Sequence, residues 1–114
     1  MECRNAIADE EIWMSVSLRS LERDLRGRLR ALGRADLADQ AVERVGFTDD
    51  GSTRYVHIFV RPNWRAYRQG DVYPLAFADY PDLRTLAQWR TFLDEARLLM
   101  NDDFSRIVQW LDGR

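Results

Sequence analysis

Six apolar residues, Met14, Leu18, Leu21, Leu25, Leu29 and Leu32, recur at spacings of three and four. At 100° per residue they fall within an arc of about 80°, a single stripe along a helix. The pattern predicts an amphipathic helix from about Asp9 to Leu32, with one face committed to a core. Gly33 stands where a C-terminal cap is expected. Gly27, inside the run, costs about 1 kcal/mol relative to alanine. Ile12, Trp13 and Val16 fall off the stripe. Either the first turns are buried on several sides or they meet another chain.

The order of elements then reads helix, strands, helix, helix. A short second helix is expected from Asp36, a candidate N-cap, to Val45, with Gly46 as its stop and Leu37, Ala41 and Val45 on its apolar side. Asp49-Asp50-Gly51-Ser52 is a turn signal, and Phe47 and Thr48 are candidates for a short strand before it. Thr53 to Val60 is the clearest strand. Val56, Ile58 and Val60 point one way, and Tyr55, His57 and Phe59 the other. Bulk on both faces predicts a central strand. A further strand over Asp71 to Phe77 contains Pro74, which places it at an edge or at a break. Pro81 suggests a third helix start, running to Met100 on Leu86, Trp89, Leu93, Ala96 and Met100, with Leu83 and Phe92 flanking. Asn101-Asp102-Asp103 should end it and cap a last helix on Phe104, Ile107, Val108 and Leu111. Trp110 points about 100° from that stripe, to an edge or an interface.

These elements predict a small α+β domain over residues 1–114. An antiparallel sheet of two to three strands would be packed by helix pairs from both ends of the chain. At 114 residues one domain is expected, large enough to hold a core without a disulfide or metal. The alternative is a mostly helical protein carrying a hairpin.

Composition removes several chemistries. All 17 basic residues are arginine, so Schiff-base catalysis and a P-loop lysine are excluded. A GC-rich genome is the simplest cause of that bias. Cys3 and His57 stand alone in their types, too few for an intrachain disulfide or a structural zinc site. A reducing compartment follows, and Cys3 reads as incidental. The uncharged stretches Ile12–Leu18 and Val72–Ala78 are far shorter than the ~20 residues of a membrane span, and the N-terminus lacks a signal-peptide core. A cytoplasmic protein with no membrane partner is expected. No nucleophile elbow or glycine-rich phosphate loop occurs. Asp49/Asp50, Asp79/Asp82 and Asp102/Asp103 sit where turns and caps need short acids, so no metal and no cofactor is expected.

The net charge of −2 hides a segregation. Residues 19–34 carry a net +4, residues 54–68 again +4, and the remainder −10. In the first segment Arg19, Arg23, Arg26, Arg30 and Arg34 line one helix face. A guanidinium row suits carboxylates or phosphates, because each fork accepts bidentate partners. The plain alternative is a solvated face paired with Asp36, Asp39 and Glu43. In the second segment Arg61, Trp64, Arg65, Tyr67 and Arg68 alternate cations with rings in a connection. That composition suits a protein hot spot or base stacking; the plain alternative is a lid in which Trp64 and Tyr67 fold back on the core.

The reading that follows is a small protein-binding module without catalysis: an adaptor, an inhibitor or an immunity-type protein of the kind phages and mobile elements carry. Its partner is another protein, met through the arginine face and the arginine/aromatic loop. A nucleic-acid binder using the same surfaces is the alternative, disfavoured by a pI of about 5.4. A phosphodiester-acting enzyme built on His57 with Arg61 and a tyrosine is the third. Homodimerisation through Ile12, Trp13 and Trp110 is a further expectation.

Overall fold

The computed structural model describes residues 6–65, 67–68 and 71–113, with side chains from residue 12 onward; Cys3 lies outside them. Helix α1 spans Ala6–Ala31, followed by a π-helical turn, Leu37–Ala41. Strands β1 (Val42–Asp49), β2 (Thr53–Val60) and β3 (Val72–Asp79) come next. A 3-10 turn, Tyr80–Asp82, leads to α2 (Leu86–Asp102) and α3 (Phe104–Leu111). The strands form one antiparallel meander, β1-β2-β3. The fold is the α+β arrangement expected, with β2 central.

The leucine stripe builds the core. Leu21, Leu25 and Leu29 are essentially inaccessible, Met14 is buried, and Leu18 packs against them half-buried. Burying each leucine contributes about 1.5–3 kcal/mol. Leu32 departs from the expectation and is exposed, because the helix ends at Ala31 and Gly33 turns the chain at φ +83°. Against the stripe lie Val45, Val56, Ile58 and Leu75 from the sheet, Trp89, Phe92, Leu93 and Met100 from α2, and Ile107 and Leu111 from α3. Phe47 meets Trp89 and Phe92 at 5.5 and 6.3 Å between ring centres.

Three expectations are corrected. The second helix is only the π turn. Val42, Val45 and Gly46 belong to β1, and Gly46 pairs with His57 instead of stopping a helix. Strand formation wins there because a hairpin partner follows at once, across the Asp50–Ser52 turn. Next, α2 begins at Leu86, not near Pro81. Thr85 Oγ1 accepts the Gln88 N–H at 3.2 Å and Gln88 Oε1 accepts the Thr85 N–H at 2.9 Å, a reciprocal capping box. Leu86 is consequently in the exposed first turn. Lastly, α2 runs through Asp102, and Asp103 makes no side-chain cap for α3; it accepts the Tyr73 hydroxyl at 2.9 Å.

The two sheet edges are treated differently. On β1, Glu22 Oε1 accepts the Val45 N–H at 3.1 Å and Arg26 donates to the Glu43 carbonyl at 3.2 Å, so α1 side chains seal the edge. On β3, Pro74 lacks an N–H, which an edge strand tolerates. The register shifts between Val56 and His57, leaving Leu75 as an extra residue on β3. That bulge turns Leu75 into the core (2% exposed) and Phe77 outward (71% exposed).

Candidate functional site

The connection after β2 is a run of turns. The Trp64 N–H bonds the Arg61 carbonyl, the Tyr67 N–H bonds Trp64, and the Asp71 N–H bonds Arg68, all at 2.8–2.9 Å. Trp64 folds back: its Nε1–H donates to the Leu111 carbonyl at 2.5 Å, and both Trp64 and Tyr67 pack half-buried against the core. The rings form the lid that was the plainer expectation. Arg65 is exposed, lies 5.1 Å from the Trp64 ring, and pairs with Asp112 at 2.5 Å. Arg68 is 84% exposed, with Asp71 at 4.0 Å.

The arginine row of α1 divides. Arg26 is half-buried. It pairs with Glu22 at 3.2 Å and donates to the carbonyls of Ala38 and Glu43. Arg30 pairs with Asp39 at 2.5 Å. Arg34 grips both Asp36 (3.0 Å) and Asp112 (2.8 Å). Those bonds raise the Arg34 pKa, and the Arg34 guanidinium holds the Asp36 carboxyl below the usual carboxylate range. Arg19 donates to Ser15, and Arg23 is exposed; neither has an ion pair among the described residues. Ile12 and Val16 are exposed at the start of this helix, while Trp13 sits half-buried with Arg90 5.8 Å from its ring. Trp110 is half-buried and meets the Tyr73 ring at 5.4 Å.

The structure brings the two basic segments together. Arg34 and Arg65 share Asp112, and beside them opens a cleft of about 670 Å³ lined by Asp39, Gln40, Arg61, Asn63, Trp64 and Arg65. Asp39 is already engaged by Arg30. Arg61 forms no ion pair among the described residues, and its Nε is buried without a hydrogen-bond partner. A guanidinium so placed favours an incoming carboxylate or phosphate, with the Asn63 and Gln40 amides as further polar partners.

His57 stands apart from that cleft. Its ring stacks on Tyr55 (5.3 Å) and meets Phe59 edge-on (6.2 Å), and Nδ1 is 3.0 Å from Thr48 Oγ1. Burial pushes its pKa below the ordinary histidine value. Arg61 does not join it. The sheet face that carries His57 has no helix over it among the described residues: Phe59, His57, Tyr55 and Phe77 form a row of half-buried and exposed rings. The sequence places Tyr55, His57 and Phe59 of that row on one face of a central β2, as observed. The outward turn of Phe77 depends on the β3 bulge.

Asp50 is a carboxylate held by its own turn. It accepts the Ser52 and Thr53 N–H groups at 3.0 and 2.8 Å, which lowers its pKa to about 2. No group of three or more metal-ligating side chains, and no helix long and apolar enough to cross a membrane, occurs among the described residues. Compared with known proteins, the chain matches no family model, no curated protein and no solved structure.

Proposed function

We propose that this chain is a small non-enzymatic protein-binding module of the adaptor or inhibitor kind, working in the cytoplasm. It docks an acidic segment of another protein in the cleft between Arg61 and Arg65. The observation that carries the reading is a cleft lined by two arginines of the second basic segment, Arg61 and Arg65, with Arg61 lacking a counter-ion there among the described residues. A carboxylate entering the cleft meets a partly desolvated guanidinium, where a charge-assisted hydrogen bond is stronger than in open water. The anchoring of Trp64 on Leu111 disfavours a nucleic acid, since the ring is held against the core and not offered to a base.

The test is affinity capture from a native lysate, with and without nuclease, using the wild type and the variants Arg61→Glu and Arg65→Glu. A protein retained after nuclease and lost from both variants is the expected result. Nucleic acid eluting with the wild type, or a partner held equally by both variants, would overturn the reading.

A further inference from the structure

We infer that the open face of the sheet is a self-association surface whose occupant is the same face of a second copy of this chain. The inference is independent of the cleft. Level by level, the register places Arg44, Phe59 and Val72 in one row, Gly46, His57 and Pro74 in the next, and Thr48, Tyr55 and Phe77 in a third. Thr53 and Asp79 close the far end, with Asp50 in the adjoining turn. Arg44 and the rings of Phe59, Tyr55 and Phe77 therefore share one face. The face is basic at one end, aromatic in the middle and acidic at the other.

Both ends are fixed in place. The Arg44 guanidinium lies 4.0 Å over the Phe59 ring, with Glu43 no closer than 4.0 Å. It occupies the space above Gly46, where a Cβ would collide with Arg44 Nη1. At the other end Tyr55 donates its hydroxyl to Asp50 (3.1 Å), and Thr53 donates to Asp79 (2.9 Å). Phe77, 71% exposed, stands between them beside the Tyr55 ring at 6.5 Å.

A pattern of this kind complements itself. In a two-fold dimer each patch meets its own copy, and residue i faces j while j faces i. An axis lying between the two faces and crossing the strands midway between His57 and Tyr55 reverses the strand direction of the second copy. With the twist usual for aligned sheets, Arg44 of each copy then falls between Asp50 and Asp79 of the other. The aromatic rows meet in the centre. A single-stranded nucleic acid would instead place phosphates over Asp50 and Asp79. Three strands of eight residues span about 14 by 27 Å, about 400 Å² of flat area per copy, the low end for specific contacts. The dimer is accordingly weak and concentration-dependent.

Sedimentation equilibrium from micromolar to millimolar protein tests this, with Arg44→Asp, Asp79→Arg and Phe77→Asp as variants. All three positions are exposed, and thermal melts verify folding. The wild type is expected to dimerise, and each variant to raise the dissociation constant roughly tenfold or more: Arg44→Asp and Asp79→Arg set like charges against one another, and Phe77→Asp puts an unpaired carboxylate among the rings. Mixing Arg44→Asp with Asp79→Arg puts opposite charges at both contacts of a heterodimer, so the mixture is expected to associate more tightly than either variant alone. A wild type that stays monomeric at millimolar concentration overturns the inference, including one that binds a single-stranded oligonucleotide through Tyr55 and Phe77. So does a dimer indifferent to Arg44→Asp, or a mixture no tighter than its components.

Discussion

Arg34, just past the end of α1, and Arg65, in the connection after β2, donate to the same carboxylate oxygen of Asp112, at 2.8 and 2.5 Å. The Asp112 side chain is 11% exposed, so this carboxylate ties a helix end, a loop and the end of α3 at one point. It also partly neutralises the cleft beside it. Asp112→Asn keeps the shape and removes the charge. The expected outcome is a lower melting temperature together with tighter binding of polyglutamate, because Arg65 is released toward the cleft. Calorimetry on the wild type and the variant checks it; unchanged affinity would show that Asp112 does not restrain the cleft.

Trp64 distinguishes a structural from a recognition role in the same loop. Its ring packs on the core and its Nε1–H serves the Leu111 carbonyl. Trp64→Phe removes mainly that bond and is expected to cost about 1 kcal/mol. Trp64→Ala also leaves a void and is expected to cost about 3 kcal/mol. Urea unfolding measures both. A Trp64→Ala protein as stable as the wild type would return the ring to the list of contact residues.

The helices were legible wherever periodicity alone decided them. The Leu21–Leu25–Leu29 stripe located α1, and Ile107 and Leu111 located α3. Errors fell where a local signal competed with a distant one. Asp36 and Gly46 looked like helix bounds, but hairpin pairing drew Val42–Gly46 into β1. Pro81 hid the capping box of Thr85 and Gln88, a Thr-x-x-Gln pattern present in the sequence. The arginine row was legible as a row, yet its partners were not: Arg26 serves carbonyls of Ala38 and Glu43, which no spacing rule connects to it. The aromatic face needed the β3 bulge, a one-residue shift that periodicity does not record.

A Cβ at Gly46 would collide with Arg44 Nη1. The obstructing atom is the tip of a flexible side chain, however, and the Gly46 φ is not positive. Gly46→Ala is therefore expected to fold with a stability change within about 1 kcal/mol, since alanine also restricts the unfolded chain more than glycine. What it displaces is the Arg44 guanidinium from Phe59. Denaturant titration tests the first point; a loss of several kcal/mol would mean that the backbone cannot accept a side chain there.

Asp50 gives an acid dependence. Its carboxylate accepts two turn N–H groups and the Tyr55 hydroxyl, and its pKa falls to about 2 from an unfolded value near 3.9. A lowered folded pKa means that the stabilisation is complete above the unfolded value and is lost as pH falls from about 4 toward 2. Asp50→Asn keeps an acceptor but no titration. Its melting temperature is expected to change less than that of the wild type between pH 5 and pH 2. Equal slopes in scanning calorimetry would assign the acid loss to other carboxylates.

Tyr73 gives the opposite branch. Burial against Trp110, reinforced by the hydrogen bond to Asp103, pushes its phenol up to about 12. The folded pKa is raised, so stability is complete below the unfolded value near 10 and falls as pH rises through the folded one. Ionisation would set a phenolate against the Asp103 carboxylate, which lies 2.9 Å from the neutral phenol. Tyr55 moves in the same direction because it donates to Asp50, so part of the alkaline loss belongs to it. Tyr73→Phe is expected to be less stable than the wild type at pH 7, where the hydrogen bond is lost. The gap should narrow between pH 10 and pH 12, because the variant has one fewer phenol to ionise. Urea midpoints across that range decide it: a gap that stays constant would mean that Tyr73 ionises as freely in the folded chain as in the unfolded one.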